Sequence, residues 1–138
     1  MYLLDTNIVS ELRKSRPHGA VLAWIAALQD REIFLSALTL GELQAGVERT
    51  RRQDTEKAAL LESWIDEVEK VYQIVPLDAP ILREWARLMD RRSADLLEDA
   101  MIAATARVYK LTVATRNVRD FRLFDVPLIN PFAVRPGP

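Results

Sequence analysis

Hydrophobic positions along the chain form short runs that alternate with longer stretches of helical spacing. The short runs predict strands at residues 2–4, 33–36, 73–76, 111–115 and 127–129. Between them, apolar residues recur every three or four positions, which predicts helices at 6–13, 20–28, 38–48, 60–72, 81–89 and 96–109. Strands that alternate with helices indicate an α/β fold with a mainly parallel central sheet of 4–5 strands, flanked by helices on both sides.

Length and composition indicate one domain. With 138 residues and a hydrophobic content of 49%, the chain predicts a single domain over residues 1–138, with 130–138 as an irregular C-terminal tail. The polar segment ERTRRQDTEK, residues 48–57, is interpreted as the connection of a helical hairpin. Cysteine is absent, which excludes disulfides and thiolate metal sites and fits a cytoplasmic location. We expect no signal peptide and no membrane partner, since no apolar run approaches the roughly 18–20 residues that span a bilayer.

Four acidic residues lie near the predicted carboxyl ends of strands, where open α/β sheets gather functional groups. Asp5 follows the first strand, and Glu42 lies in the first turns of the helix after the second. Asp120 lies five residues beyond the fourth strand, past Asn117. Asp99 lies in LLEDAMIAATA, a segment that is apolar nearly all round and is therefore predicted to be a buried helix.

Each acid also has a purely structural explanation. Asp5 suits the N-cap of the next helix, Glu42 suits a first helical turn, and Asp120 can cap a turn. Asp99 can pair with a buried arginine, such as Arg107 or Arg116, because a lone buried carboxylate is very costly.

Considered together, the four acids predict a cation site. Several carboxylates at one sheet edge repel one another unless a cation joins them. Hard oxygen ligands indicate Mg²⁺ or Mn²⁺, and the single histidine, His18, lies in a Pro-Gly loop, which argues against a zinc site. A carboxylate-only divalent site most often serves phosphoryl chemistry.

Five sequence blocks then carry a family resemblance: LLDTN, SALTLGEL-AG, DAMIAATA, LTVATRNVRDF and NPF. In this order, and over essentially the whole chain, they resemble the PIN-domain ribonucleases. The likeness is strongest to the VapC-type toxins of bacterial toxin–antitoxin pairs, including their plasmid-stability and trafficking-protein relatives.

The resemblance implies the members of an acidic pocket that holds Mg²⁺ or Mn²⁺. Its first three acids correspond to Asp5, Glu42 and Asp99, which leaves Glu98 as a solvated neighbour. Two candidates remain for the fourth ligand. Many relatives carry an acid at the position of Asn117, whereas others keep asparagine there and place an acid at the position of Asp120. An asparagine can still coordinate through its amide oxygen or hold a water.

The resemblance also implies supporting residues, an activity and partners. Thr6, Asn7 and Thr115 are expected to support the pocket by hydrogen bonding. The implied activity is metal-dependent endonucleolytic cleavage of structured RNA, such as tRNA or rRNA. The implied partners are a second copy in a homodimer, a cognate small antitoxin in a dimer or higher toxin–antitoxin assembly, and operator DNA only through that antitoxin.

The arginines are the candidate RNA contacts. Net charge is −1, so bulk charge indicates no nucleic acid, but 15 of the 19 cations are arginine. Arg116, Arg119 and Arg122 flank the fourth-strand block and are the first candidates. The clusters at 49–52 and 91–92 come next, and the alternative for each cluster is a solvated, salt-bridged surface.

Two other functional classes stay open at this point. A catalytically weak PIN-fold partner would act mainly as an antitoxin-bound regulatory or DNA-binding complex. A phosphoacceptor receiver domain would use an aspartate after the third strand, as Asp78 is, but its lysine would follow the last strand, whereas Lys110 precedes the fourth.

Trp24, Trp64 and Trp85 are predicted core residues. The alternative is that the helices around Trp24 and Trp64 bury an antitoxin helix or a second subunit.

Overall fold

The computed structural model describes residues 1–134, in which five short strands alternate with seven α-helices. The strands are β1 (Tyr2–Leu4), β2 (Ile33–Ser36), β3 (Gln73–Val75), β4 (Thr112–Ala114) and β5 (Leu128–Ile129). The helices are α1 (Thr6–Arg13), α2 (Gly19–Ala26), α3 (Ala37–Arg51), α4 (Thr55–Val71), α5 (Ala79–Met89), α6 (Leu97–Tyr109) and α7 (Val118–Phe121). Single 3₁₀ turns lie at Asp30–Glu32, Ala94–Leu96 and Arg122–Phe124.

The five strands form one parallel sheet in the order β3-β2-β1-β4-β5. This confirms the α/β class and the predicted parallel sheet. Strand β1 lies at the centre, where Leu4 pairs with Leu35 on one side and with Ala114 on the other. The chain order reverses between β1 and β4, and ligands of such sheets bind beyond the carboxyl ends of the strands at this reversal. Asp5 and Thr115 are the residues that follow these two strands.

Both faces of the sheet are covered, because successive residues of a strand point to opposite sides. Leu3 is fully buried on one side, in a cluster with Ile102 of α6 and Phe121 of α7. Leu4 is fully buried on the other side, in a cluster that includes Ile8 of α1 and Trp24 of α2, and α4 contributes Val68 to the same cluster. The sheet edge above these clusters is therefore held by packed helices on either side.

Helices α3 and α4 form the predicted helical hairpin, joined by residues 52–54. Helix α3 continues to Arg51, three residues past the predicted end. Its last turn is polar but is supported on the exposed face by an ion pair between Arg51 and Glu48, at 3.1 Å. Helix α4 starts at Thr55, since the Asp54 carboxylate accepts the backbone N–H of Lys57 at 3.0 Å and so caps the helix before its first apolar residue.

The C-terminal residues and the three tryptophans can also be compared with the sequence predictions. Residues 130–134 form neither helix nor strand, while residues 135–138 of the predicted tail lie outside the described residues. Trp24 is buried in the core, and Trp64 and Trp85 are half-buried against it. In residues 1–134 no helix combines the length and hydropathy needed to span a membrane.

Candidate active site

Asp5 lies at the carboxyl end of the central strand, and its two oxygens have separate partners. Oδ1 accepts the backbone N–H of Thr6 at 2.8 Å, so the residue caps α1, as the structural explanation required. Oδ2 accepts the Thr115 hydroxyl at 2.8 Å and the Asn7 amide at 3.2 Å. The residue is only 8% exposed, and this burial raises the pKa of the Asp5 carboxyl above its ordinary value.

Glu42 approaches the same edge from the next strand. Ser36, the last residue of β2, caps α3 by accepting the Leu38 N–H at 3.0 Å, and this fixes the direction of the helix. The first turns of α3 then bring Glu42 beside α1, where its Oε1 accepts the Thr6 hydroxyl at 2.8 Å. Burial, followed by the neighbouring Glu98, raises the pKa of Glu42 to about 7.

Asp99, Asn117 and Asp120 form the third part of the site. The Asn117 amide nitrogen donates to Asp120 at 2.8 Å and to Asp99 at 3.4 Å. The two candidates for the fourth ligand are therefore in direct contact rather than being separate alternatives. Burial and then the charges of Asp5 and Asp120 raise the pKa of Asp99 to about 6.

Thr115 connects these parts. Its hydroxyl donates to Asp5 and accepts the backbone N–H of Asn117 at 2.9 Å, and the residue is fully buried. Asn7 spans the same gap, because its Nδ2 donates to Asp5 while its Oδ1 accepts the backbone N–H of Arg116 at 3.3 Å. The structure thus brings together all five predicted site residues and the three predicted supporting residues.

Glu98 is a member of the site that the sequence did not indicate. It was expected to be a solvated neighbour of Asp99, and its side chain is indeed exposed to solvent. However, it lies within hydrogen-bonding reach of Glu42, and its charge contributes to the raised pKa values of Glu42 and Asp99. Thr39 was also missed. It is fully buried beneath the site, with its Oγ1 3.1 Å from the Thr6 hydroxyl.

The donor set is composed of oxygen atoms and carries excess negative charge. No ion pair within residues 1–134 involves Asp5, Glu42, Asp99 or Asp120. In the same part of the chain, no three acidic or histidine side chains converge closely enough to form a ready-made metal cluster. The carboxylates instead accept hydrogen bonds from Thr6, Thr115 and Asn117. The chemistry of the donors therefore fits a hard divalent cation, which would replace those hydrogen-bond donors as the partner of the carboxylates.

Other contacts exclude two of the alternative interpretations, those for Asp99 and Asp78. Arg107, a candidate partner of Asp99, instead pairs with Glu84 at 3.1 Å and donates to the carbonyl oxygens of residues 124 and 125. Asp78, the receiver-domain candidate, caps α5 and accepts the Tyr109 hydroxyl at 2.6 Å. It follows β3 at the edge of the sheet, so residues 1–134 do not form the phosphoacceptor arrangement around it.

The three candidate RNA-binding arginines are exposed, and the backbone N–H of Arg116 contacts Asn7 of the site. Arg116, Arg119 and Arg122 make no ion pair with the residues described, 1–134. The Arg116 guanidinium stacks over the ring of Phe132, 4.3 Å from the ring centre. Phe132 in turn lies edge-on to His18, with the ring centres 5.1 Å apart. The NPF block therefore supports an arginine beside the site.

Comparisons with known proteins agree with this geometry. A family model described as PIN domain matches residues 2–126. Toxin FitB of Neisseria gonorrhoeae is 34% identical over 96% of this chain and 99% of its own length. VapC ribonuclease Y4jK of Sinorhizobium fredii is 36% identical over 96% of this chain and 98% of its own. The crystal structure of FitAcB from Neisseria gonorrhoeae superposes with a TM-score of 0.86 at 32% identity, covering 97% of this chain and all of that one.

Proposed function

The chain belongs to the PIN domain family, and we propose that it is a Mg²⁺-dependent endoribonuclease, the toxin of a toxin–antitoxin pair. Its substrate class is structured RNA such as tRNA or rRNA, cleaved by in-line attack of water on a phosphodiester. The relatives named as a toxin and as a ribonuclease cover nearly the whole chain, which supports both halves of the proposal.

One observation supports the chemistry above all others. Three carboxylates with raised pKa values, those of Asp5, Glu42 and Asp99, gather where the strand order of the sheet reverses, with no cation beside them in residues 1–134. Burial of these carboxylates, together with the repulsion among them, is unfavourable in a structural role and favourable in one that recruits a cation.

Asp5, Glu42 and Asp99, with Asn117 or Asp120, would hold Mg²⁺ or Mn²⁺. When bound, the ion lowers the pKa of a water and neutralises charge on the phosphate. The protein positions these oxygens through Thr115, which orients Asp5, and through Thr6, which orients Glu42.

Glu42 is the residue that we assign to proton transfer. Thr6 donates to its Oε1 and so holds the carboxylate in place, and this carboxylate would accept a proton from the attacking water. In the absence of a cation, burial and then Glu98 raise the pKa of Glu42 to about 7, so this carboxylate is a stronger base than an ordinary glutamate.

The test is cleavage of purified tRNA by Asp5→Asn and Asp99→Asn, with Mg²⁺ and with excess EDTA. We expect each variant to lose at least about 100-fold in rate, the upper end of losses seen for outer-shell partners of metals, and EDTA to abolish cleavage. Asp125→Asn is the matched control. It makes the same chemical change at an exposed residue with a φ of 52°, a left-handed conformation that asparagine adopts readily.

Full cleavage by either site variant, or by wild-type protein in EDTA, would contradict the proposal. Equal loss in Asp125→Asn would instead show that the preparation, rather than the site, had changed.

The proposal includes partners. A cognate small antitoxin would bind the protein, which would itself form a homodimer within that complex or a higher assembly, and operator DNA would be contacted only through the antitoxin. Co-expression with the neighbouring small reading frame, followed by light scattering of the purified complex, tests this directly. A toxin that stays monomeric and free of the co-expressed protein would contradict it.

A further inference from the structure

A groove of about 410 Å³ opens beside the acidic site, between α1, α3 and α4. Its apolar lining comes from Leu43 and Val47 of α3 and from Leu61, Trp64 and Ile65 of α4. The volume lies in the range of about 300–1,000 Å³ that small-ligand pockets occupy. The groove is thus large enough to enclose one mononucleotide-sized group against an aromatic and aliphatic wall.

The groove is continuous with the site. Thr6 and Glu42, which are joined by a hydrogen bond in the acidic pocket, also line the groove at one end. A polymer with one phosphate at the carboxylates would therefore place its neighbouring unit inside the groove.

Two arginines line the groove as well. Arg13 lies in the last turn of α1 and Arg49 in the last turn of α3. Among residues 1–134 neither makes an ion pair, whereas nearby Arg51 is bound to Glu48 and Glu62. Arg49 folds back along the groove, since its Nη2 would lie 3.6 Å from a Cβ built on Gly46.

From this combination we infer that the groove is a nucleotide subsite, in which the base adjoining the scissile phosphate lies against Trp64 and its phosphate contacts Arg13 and Arg49. The inference deepens the proposed ribonuclease function and rests on it. A nucleotide unit supplies both features that the groove offers, a flat apolar ring and an anion. An apolar peptide segment would fill the wall but would leave two guanidinium groups without anions.

The first experiment fills the groove without altering its charges. In Gly46→Leu a side chain enters the groove from the middle of α3, where only the flexible end of Arg49 is near and where leucine is a better helix former than glycine. The probe is a fluorescein-labelled single-stranded RNA of about ten nucleotides, whose anisotropy is measured in excess EDTA at low salt. Ala45→Leu, at an exposed position of the same helix outside the groove, is the matched control.

We expect Gly46→Leu to weaken binding at least about fivefold, the lower limit for loss of one base–aromatic contact, and Ala45→Leu to bind as wild type does. Equal binding by Gly46→Leu and wild type would overturn the proposal and would indicate that the groove serves another ligand, such as a protein segment. Absence of any wild-type binding would overturn it too.

The second experiment tests the phosphate contacts through their dependence on salt. Each of Arg13→Gln and Arg49→Gln should lower the slope of log affinity against log salt by about 0.7, the value for one phosphate of a single strand. Arg31→Gln removes the same charge at the amino end of β2, the opposite edge of the sheet, and should leave the slope unchanged. Unchanged slopes in both groove variants would contradict the assignment.

A small substrate separates this proposal from the proposed function. Hydrolysis of bis(p-nitrophenyl) phosphate with Mn²⁺ needs the carboxylates but does not need the groove. Hydrolysis that is retained in Gly46→Leu while RNA cleavage falls supports the subsite. No hydrolysis by any variant, with RNA binding still sensitive to Gly46→Leu, would count against the nuclease chemistry and leave the nucleotide subsite standing.

Discussion

Raising the pH in the absence of divalent metal should weaken the folded state of this protein. Glu42 and Asp99 have folded-state pKa values of about 7 and about 6, above the ordinary values of 4.5 and 3.8. Between the ordinary and the raised values the folded chain therefore binds more protons than the unfolded chain does. Stability is then highest at the low end of this window and is lost as the pH rises towards 7.

The size of this loss follows from the two pKa values. At about 1.36 kcal/mol for each pKa unit, the upper bounds are about 3.4 kcal/mol for Glu42 and about 3.0 kcal/mol for Asp99. Both carboxylates are only half-buried, so water screens the repulsion and roughly half of each bound is expected. Part of the loss of stability also occurs below pH 5, because carboxyl groups of the unfolded chain are already mostly ionised at pH 5. We therefore expect a fall of about 2 kcal/mol between pH 5 and pH 8.

The assay is urea denaturation in EDTA, followed by tryptophan fluorescence from pH 5 to pH 8. Glu42→Gln removes one of the carboxyls with a raised pKa and should flatten the dependence by about half. Glu56→Gln, the same change at an exposed residue in the first turn of α4, should leave the dependence unaltered. Adding Mg²⁺ at pH 8 should restore stability, by about 2.7 kcal/mol at a hundredfold excess over its dissociation constant.

Two results would refute this reasoning. A free energy of unfolding that stays constant from pH 5 to pH 8 would show that neither burial nor the neighbouring carboxylates raise these pKa values in the folded state. An equal slope in Glu42→Gln and wild type would show that Glu42 is not one of the titrating groups.

Three further perturbations test other parts of the structure. Thr115→Val removes the hydroxyl that donates to Asp5 and should cost about 1–3 kcal/mol in urea denaturation, with most of the loss recovered by Thr115→Ser; an unaltered stability would contradict the bridging role. Glu98→Gln removes a negative charge beside Glu42 and should move the acidic limb of the pH–rate profile for RNA cleavage to lower pH, whereas an unshifted limb would exclude this contact. Phe121→Ala, at a fully buried position, should destabilise the fold by about 3–5 kcal/mol in the same denaturation assay, and a loss below about 1 kcal/mol would mean that the cluster around it repacks.

The fold was accessible from the sequence because its elements are locally encoded. Each strand is a short apolar run and each long helix has apolar residues at a helical period, so both the element types and their alternation could be read directly. In a parallel sheet all carboxyl ends meet at one edge, which is why Asp5 and Glu42 could be assigned to a common site from the sequence, whereas Asp99 was assigned to it by the family resemblance. The C-terminal end of α3 was harder to predict, since its last turn depends on the ion pair between Arg51 and Glu48 rather than on apolar spacing.

The contact between Glu98 and Glu42 could not be predicted in the same way. Neighbouring residues on a helix point about 100° apart. If Asp99 faces the site, Glu98 therefore points in a different direction, and the sequence does not show which residue it contacts. The contact of Glu98 with Glu42 depends on the packing of α6 against α3. In the chain these two helices are separated by α4, β3 and α5. An exposed carboxylate at such a position has no sequence pattern that distinguishes it from a solvated one.

Asp5 shows why the structural and functional interpretations of one residue need not compete. As a helix cap it requires one oxygen, and Oδ1 meets this need through the N–H of Thr6. The second oxygen is held by Thr115 and Asn7, and it is this oxygen that links β1 to β4 across the reversal of the strand order. Capping alone would be served by a serine, whose single oxygen leaves no buried charge. Asp5 is only 8% exposed, and its burial carries a desolvation cost. The role of the second oxygen in the negatively charged site explains why a carboxylate is present despite this cost.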